Sequence, residues 1–231
     1  MKKYTRFIKD QFASDTLSRN ELNLFTAELL GRLAKIVNPA LNQVEIDKLK
    51  DIHTRFVGEY SNLAIKGAVQ LGGTISREDA YDDVIDFIKQ QEGAVKAKFG
   101  KNTAQYVEFY PAGTTEYHAS SVEGLKILLS RYVAAATKYK TELGANFLTE
   151  ITALETAYTN ARDEQVDTKS ANKTTQAKLR SIRKELTLHL TKCLLLIAAE
   201  TLENENDFLS YFNFGLLEVD NDNSADDEKI V

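Results

Sequence analysis

The chain has 231 residues, of which 43% are hydrophobic and 27% are charged, a mixture that excludes a wholly disordered or fibrous protein. A chain of this length buries a sizeable core without needing disulfides or metals. Its single cysteine excludes an internal disulfide framework and predicts a reducing, cytoplasmic location. The opening residues lack the apolar stretch of a secretory signal, and no apolar run approaches the length of a membrane span, so we expect no membrane insertion.

The net charge of −5 is concentrated at the carboxyl end. Residues 218–231 hold six of the 34 acids and one of the 29 bases, so residues 1–217 are formally neutral, with 28 of each. This segment is rich in Asp and Asn and poor in aromatic residues, which predicts a disordered acidic tail. A neutral body provides no overall field to attract a polyanion.

In the first half of the chain, the helix signals follow one another closely. Ser18 and Glu21 have the spacing of a capping box, and an apolar stripe follows them. Asn38-Pro39 predicts the end of this helix and the start of the next. Gly72-Gly73 predicts the end of the second helix, and Ser76 with Asp79 predicts the cap of a third, which Gly100 ends.

The second half begins with residues 101–119, which lose the helical period and contain Pro111 and Gly113. Ser120-Ser121 predicts the start of another helix, and at Leu143-Gly144 the alternatives of a kink and a stop both remain open. Asp167-Thr168 predicts a turn and the N-cap of a long last helix.

Together these signals predict an all-α fold, a helical bundle of about six helices. We expect residues 1–217 to form a single bundle, with a three-plus-three subdivision near the irregular aromatic loop 101–119 as the alternative. No heptad pattern is sustained through successive elements.

The segment 208–219 is too aromatic to belong to a free tail. We expect it to dock on the bundle as a short helix or an extended strip, with contact to a subunit or partner as the alternative, because uncovered aromatic surface marks an interaction site. The interface candidates are Phe208, Tyr211, Phe212, Phe214, Leu216 and Leu217.

The segment 169–192 carries seven bases and one acid. A solvated helix face is the ordinary interpretation of such a run. One alternative is a site for an anion or a nucleic acid, which the acidic tail could mask in the free protein. The other is a docking site for the acidic tail itself. The neutral body and the lack of interleaved aromatic residues disfavour nucleic acid. The anion-binding candidates are Lys173, Lys178, Arg180, Arg183 and Lys184.

The loop 101–119 is the most site-like segment, because it brings an acid, phenols and an imidazole near a Pro-Gly turn. Its candidate residues for a small-ligand site or an enzyme are Glu108, Tyr110, Glu116, Tyr117 and His118. Such groups can perform acid–base chemistry, but a packed structural loop is the favoured interpretation.

No motif for a metal, a phosphate, a dinucleotide or a nucleophile occurs in the sequence. Cys193 lies among leucines, which predicts an inert buried thiol. We therefore expect no catalytic residue, no metal and no cofactor. The hypothesis that follows is a non-enzymatic structural or protein-interaction protein that self-associates as a homo-oligomer or binds a protein partner in a larger assembly.

Overall fold

The computed structural model describes Phe12 and residues 17–37, 39–202 and 204–217. Within these ranges the protein is all-α and has no strand, which confirms the predicted helical bundle. Of the eight α-helices in the described ranges, five have seven or more residues, against the six that we expected. In chain order the helices are α1 (Arg19–Leu33), α2 (Gln43–Phe99), α3 (Ala104–Phe109), α4 (Thr115–His118), α5 (Val122–Lys138), α6 (Lys140–Leu143), α7 (Ala145–Glu200) and α8 (Glu205–Tyr211).

The predicted caps at the starts of α1 and α5 are confirmed. The Glu21 backbone N–H donates to Ser18 Oγ over 3.1 Å, and the Ser18 backbone N–H donates to the Glu21 carboxylate over 2.7 Å. At α5, Ser121 Oγ accepts from the Gly124 backbone N–H over 3.1 Å. The predicted boundary at Asn38-Pro39 involves Asn38, which lies outside the described residues.

The predicted helix stop at Gly72-Gly73 is wrong, and so is the cap at Ser76, because α2 is helical throughout Gln43–Phe99. Two adjacent glycines cost an exposed helix interior about 2 kcal/mol in propensity. Packing against α7 compensates for that cost. A Cβ placed at Gly73 would lie 3.6 Å from Thr168 Oγ1 and 3.8 Å from Gln165 Cα, so α7 runs close beside the backbone of α2 at this point.

The predicted turn at Asp167-Thr168 is also wrong, because both residues lie inside α7. Thr168 Oγ1 donates to the Gln165 carbonyl three residues earlier over 3.0 Å. A threonine hydroxyl satisfied in this way can stay in a helix interior instead of capping a new helix.

Glycines with positive φ mark the true helix ends. Gly100 has φ +86° directly after α2, as predicted, and Gly144 has φ +93° between α6 and α7. The alternative left open at Gly144 is therefore decided as a stop. Glycine adopts this left-handed region without the steric cost that a Cβ would bring. The segment 101–119, predicted to be irregular, contains the short helices α3 and α4.

The chain divides into two compact units. Unit 1 comprises Met1–Gly67 and Asn172–Val231, and unit 2 comprises Ala68–Ala171. Both α2 and α7 contribute residues to each unit. This division differs from the expected single bundle and also from a subdivision near 101–119, because the unit boundaries fall inside the two longest helices.

Each unit has its own apolar core. In unit 1 the core joins α1, α8 and the adjoining parts of α2 and α7, with Phe25, Phe56 and Leu186 fully buried. Along this part, Glu45, Arg55 and Lys66 of α2 contact Lys192, Glu185 and Thr175 of α7 respectively. The partner numbers fall as the α2 numbers rise, so the two helices run antiparallel within unit 1.

The core of unit 2 is strongly aromatic. Phe109 of α3 lies within 5.1–6.5 Å, between ring centroids, of Phe99, Tyr110, Tyr132, Tyr139 and Phe147. Edge-to-face pairs such as Phe109 with Tyr132 add about 0.5–1.5 kcal/mol beyond the area that they bury. Four residues of the segment 101–119 therefore belong to this core: Tyr106, Phe109, Tyr110 and Tyr117.

Candidate functional site

An exposed apolar strip lies on α2 in unit 2. It consists of Ala68, Val69, Leu71, Gly72 and Ile75. Leu71 is 63% exposed and Ile75 is 52% exposed. Ala68, Leu71 and Ile75 follow one another at spacings of three and four residues, which places them on one side of the helix. Residues 67–76 carry no charged side chain, so a partner that packs on the strip buries no charge of this stretch.

The strip lies on a different side of α2 from the residues that contact α7 in unit 2. Gly73 and Thr74 make that contact, and Gln165 Nε2 donates to Thr74 Oγ1 over 3.0 Å. Ala68, Leu71 and Ile75 are each exposed. Folding of the unit therefore leaves the strip uncovered, and a further helix could pack on it.

A cleft of about 310 Å³ lies in unit 2. Its lining residues are Arg77, Glu78, Tyr81, Asp82, Val122 and Tyr158. Both phenols are engaged as donors: Tyr158 Oη to the Val122 carbonyl over 2.9 Å, and Tyr81 Oη to the His118 carbonyl over 3.2 Å. Arg77 pairs with Glu78 over 3.1 Å. The two phenols of the cleft therefore join α2 to α4 and α7 to α5.

Four of the five candidates from the loop 101–119 are either held in ion pairs or buried. Glu108 accepts from Lys138 Nζ over 2.7 Å, and Glu116 accepts from Arg131 over 2.6 Å. Tyr110 and Tyr117 are fully buried, whereas His118 is exposed. The five side chains therefore do not converge on one cavity.

The buried tyrosines of unit 2 form a short hydrogen-bonded chain. Tyr110 Oη donates to the Ile88 carbonyl over 2.8 Å and lies 2.8 Å from Tyr132 Oη. Because the single Tyr110 proton is used on the carbonyl, Tyr132 is the donor to Tyr110. Burial raises the pKa of both phenols, and it raises the pKa of Tyr117 to about 12 in spite of its bond from Arg131. These groups stay protonated at neutral pH and act as hydrogen-bond donors.

The aromatic strip at the carboxyl end docks on unit 1, as predicted, in the form of a short helix. Phe208, Tyr211 and Phe212 are buried, and Phe214, Leu216 and Leu217 are partly buried in a 3₁₀ turn. Tyr211 Oη accepts from the Ala40 backbone N–H over 3.1 Å. The chain itself covers most of the aromatic surface that suggested an interface, and its role toward a partner stays a prediction. Residues 218 and 219 lie outside the described ranges, as does the acidic tail.

The anion-binding candidates fall into two groups on α7. Lys178 Nζ lies 3.9 Å from the Glu59 carboxylate, and Arg183 donates to the Leu17 carbonyl. Lys173, Arg180 and Lys184 are exposed. Within the described residues, none of these three has an ion pair with an acidic side chain. The structure therefore brings three of the five candidates together on one open face.

Cys193 and the histidines form no reactive cluster. Burial raises the pKa of the Cys193 thiol to about 12, which keeps it in the unreactive thiol form. His53 Nε2 contacts Asn23 Oδ1 over 2.8 Å, and His189 Nε2 contacts the Glu45 carbonyl over 3.1 Å. Where the structure describes the chain, no group of three or more His, Cys, Asp or Glu side chains could hold a metal ion.

The buried face of α7 contains a polar stretch that was not predicted from the sequence. Every seventh residue from Ile151 to Cys193 is buried, and the full set is Ile151, Tyr158, Gln165, Asn172, Leu179, Leu186 and Cys193. A seven-residue spacing is the mark of helices packed side by side. The pattern was obscured because Gln165 and Asn172, at its centre, are polar. The available signal was the apolar residues that keep the same seven-residue spacing on both sides of this stretch, such as Tyr158 and Leu179.

Comparison of the chain with protein-family models, with curated proteins and with solved structures gives no match. None of the helices in the described ranges combines the length and the apolar character needed to cross a membrane.

Proposed function

We propose that this protein is a helical interaction protein that self-associates through the exposed apolar strip of α2 in unit 2. The observation that carries the proposal is the exposure of Leu71 and Ile75 in a segment without charge. Contiguous apolar surface on a folded protein marks a site of association. The strip has the three- and four-residue spacing by which one helix packs against another.

A second copy of the chain is the partner that fits this strip best. Two copies related by a two-fold axis would each present the same residues, and so an uncharged strip would meet an uncharged strip. Neither copy would then bury a charge without a partner, which would cost several kcal/mol. The small residues Ala68 and Gly72 would let the two helix backbones approach closely.

The proposal assigns no enzymatic role to the protein. In its support, Glu108 and Glu116 are held in ion pairs with Lys138 and Arg131, and the thiol of Cys193 is buried. We also propose a cytoplasmic location, where a lone thiol is normally kept reduced.

The test is the solution mass of the full chain by light scattering across a micromolar concentration series. We expect the wild type to shift from 25.9 kDa toward twice that mass as concentration rises. The double variant Leu71→Glu with Ile75→Glu should stay monomeric, because dimerisation would bring like charges together. Both sites are more than half exposed, so we expect the change to alter the stability of the fold by less than about 0.5 kcal/mol per site.

The matched control is Ile127→Glu, at an apolar residue of unit 2 that is 72% exposed on α5. It should self-associate as the wild type does. A wild-type chain that remains at 25.9 kDa throughout the series would contradict self-association. A loss of association in the control would show that added charge, and not the strip, is responsible.

A further inference from the structure

A second open surface lies on α7 in unit 1 and begins with three cations. Lys173, Arg180 and Lys184 are all exposed. Their spacings of seven and four residues return to nearly the same side of an α-helix. The three side chains therefore form a row along one side of α7, about 16 Å long at 1.5 Å per residue.

These cations differ from their basic neighbours in having no acidic partner among the described residues. Lys178 is near Glu59, and Lys192 donates to Glu45 over 2.5 Å. Glu185, the one acid of α7 between residues 168 and 199, is bound by Arg55 at 2.9 Å and 3.0 Å. The acids close to this part of α7 are therefore already paired, and the row of three cations is left facing solvent.

Two exposed leucines continue the row. Leu188 follows Lys184 by four residues and is 71% exposed, and Leu195 follows Leu188 by seven residues and is 45% exposed. The complete surface, which we call the cation–leucine face, consists of Lys173, Arg180, Lys184, Leu188 and Leu195. It extends about 33 Å along the helix.

We propose that the cation–leucine face binds an acidic protein segment that also carries apolar side chains. Carboxylates of such a segment would pair with the cations, and its apolar side chains would cover the leucines. Electrostatic complementarity of this kind sets which partner binds and how fast it associates. The site is independent of the strip on α2, because it uses different residues in the other unit.

The two leucines are the reason for preferring a protein segment over a polyphosphate. A nucleic acid would pair with the cations but would leave Leu188 and Leu195 without a favourable contact. Nucleic-acid surfaces are also broadly basic, whereas here the cations form a single row. A membrane surface would need a wide apolar helix face, whereas the cation–leucine face combines two leucines with three cations.

The experiment uses the full chain and a designed, fluorescein-labelled helical peptide. The peptide carries three Glu and two Leu residues at the spacings of the face, in reversed order, so that it can lie antiparallel to α7. Binding is measured by fluorescence anisotropy at low and at physiological salt. We expect saturable binding that weakens as salt increases, because exposed ion pairs are screened.

Two sets of variants locate the binding. Changing Lys173, Arg180 and Lys184 together to Glu should weaken binding by at least about tenfold, because attraction becomes repulsion. The matched control changes three exposed lysines of unit 2, Lys96, Lys98 and Lys101, to Glu and should weaken binding much less. Changing Leu188 and Leu195 to Ala should weaken binding by at least about threefold while keeping its salt dependence.

Several outcomes would overturn the proposal. Equal weakening by the two triple variants would show that only net charge matters. Equal or tighter binding of a leucine-free acidic peptide, of heparin, of duplex DNA or of vesicles containing phosphatidylserine would show that a polyanion or an anionic membrane is the better ligand. Absence of any saturable peptide binding at low salt would also exclude it. Circular dichroism of each variant confirms that the fold is retained.

Discussion

Gln165 of α7 donates a 3.0 Å hydrogen bond from its side-chain amide to Thr74 Oγ1 of α2, inside unit 2. The Gln165 side chain is buried at a position where helix pairs usually place an apolar residue. The side-chain oxygen Oε1 of Gln165 accepts from the Arg77 guanidinium over 3.5 Å. A buried polar residue of this kind restricts how two helices can align, because any other alignment leaves its polar atoms without partners.

We predict that Gln165→Ala lowers the free energy of unfolding by about 1–3 kcal/mol. The change removes buried contacts, the amide donor to Thr74 Oγ1 and the side-chain acceptor of Arg77. The neighbouring change Glu164→Ala, at an exposed residue, should stay within about 0.5 kcal/mol of the wild type. Urea unfolding followed by circular dichroism measures both, and equal effects would count against the hydrogen bond as the cause.

The continuity of α2 predicts that Gly72→Ala stabilises the protein. No atom lies within 4 Å of a Cβ placed at Gly72, so alanine should add about 0.5–1 kcal/mol through its helix propensity. Gly58→Ala, in an equally open position of α2, should give a similar gain. Gly144→Ala should destabilise, because φ there is +93°. A destabilised Gly72→Ala variant would indicate a break in the helix.

The two bonded tyrosines of unit 2 should respond unequally to loss of their hydroxyls. Tyr110→Phe removes the acceptor of Tyr132 and the donor to the Ile88 carbonyl, so we expect a loss of about 1–3 kcal/mol in unfolding free energy. Tyr132→Phe removes one donor and leaves the bond from Tyr110 to Ile88 in place, so its cost should be about 1 kcal/mol. Chemical denaturation of both single variants and the double variant tests the order. The reverse order would mean that the proton arrangement is different.

His53 should make the stability of the protein depend on pH below neutrality. Burial lowers the pKa of His53 below the 6.5 of an exposed imidazole, so the unfolded chain binds more protons than the folded one. The contribution of His53 to the free energy of unfolding is therefore fully present above pH 6.5. It is lost as the pH falls below 6.5, until the pH passes the folded-state pKa. The pKa values of Glu45, Glu108 and Glu185 are lowered from 4.5, so their contribution is lost only at lower pH.

His53→Gln should reduce the loss of unfolding free energy between about pH 7 and pH 5.5, measured by urea titration at each pH. His118→Gln, at an exposed residue, is the control and should keep the wild-type slope. If both variants keep that slope, another group is responsible for the pH dependence.

The acidic residues 218–231 should compete for the cation–leucine face. Deleting them removes six acids and one base. We expect binding of the designed acidic peptide to tighten several-fold at low salt, because fewer carboxylates of the same chain remain to compete for the cations, and the gain should disappear at high salt. Replacing the six acids by their amides in the full-length chain separates charge from length. Unchanged affinity in both cases would mean that the tail does not compete.

The amino-acid sequence by itself determined the fold class and the helix ends that depend on local chemistry. The capping box at Ser18, the cap at Ser121 and the end of α2 at Gly100 each involve hydrogen bonds or backbone angles within a few residues. Such features form in the same way wherever the helix is placed. The docking of Phe208 and Tyr211 was also predictable, because aromatic surface of that size has to be covered.

Only the tertiary structure decided the continuity of the two long helices and the location of the open surfaces. At Gly72-Gly73 and at Asp167-Thr168 local preference favours an end, yet contacts between α2 and α7 supply enough stabilisation to keep both helices intact. The same contacts bury Gln165 and leave Leu71 exposed, although residue type alone predicts the opposite. The exposure of a side chain depends on which neighbour covers it. Gln165 and its neighbour Thr74 are 91 residues apart along the chain, so local sequence does not reveal their contact.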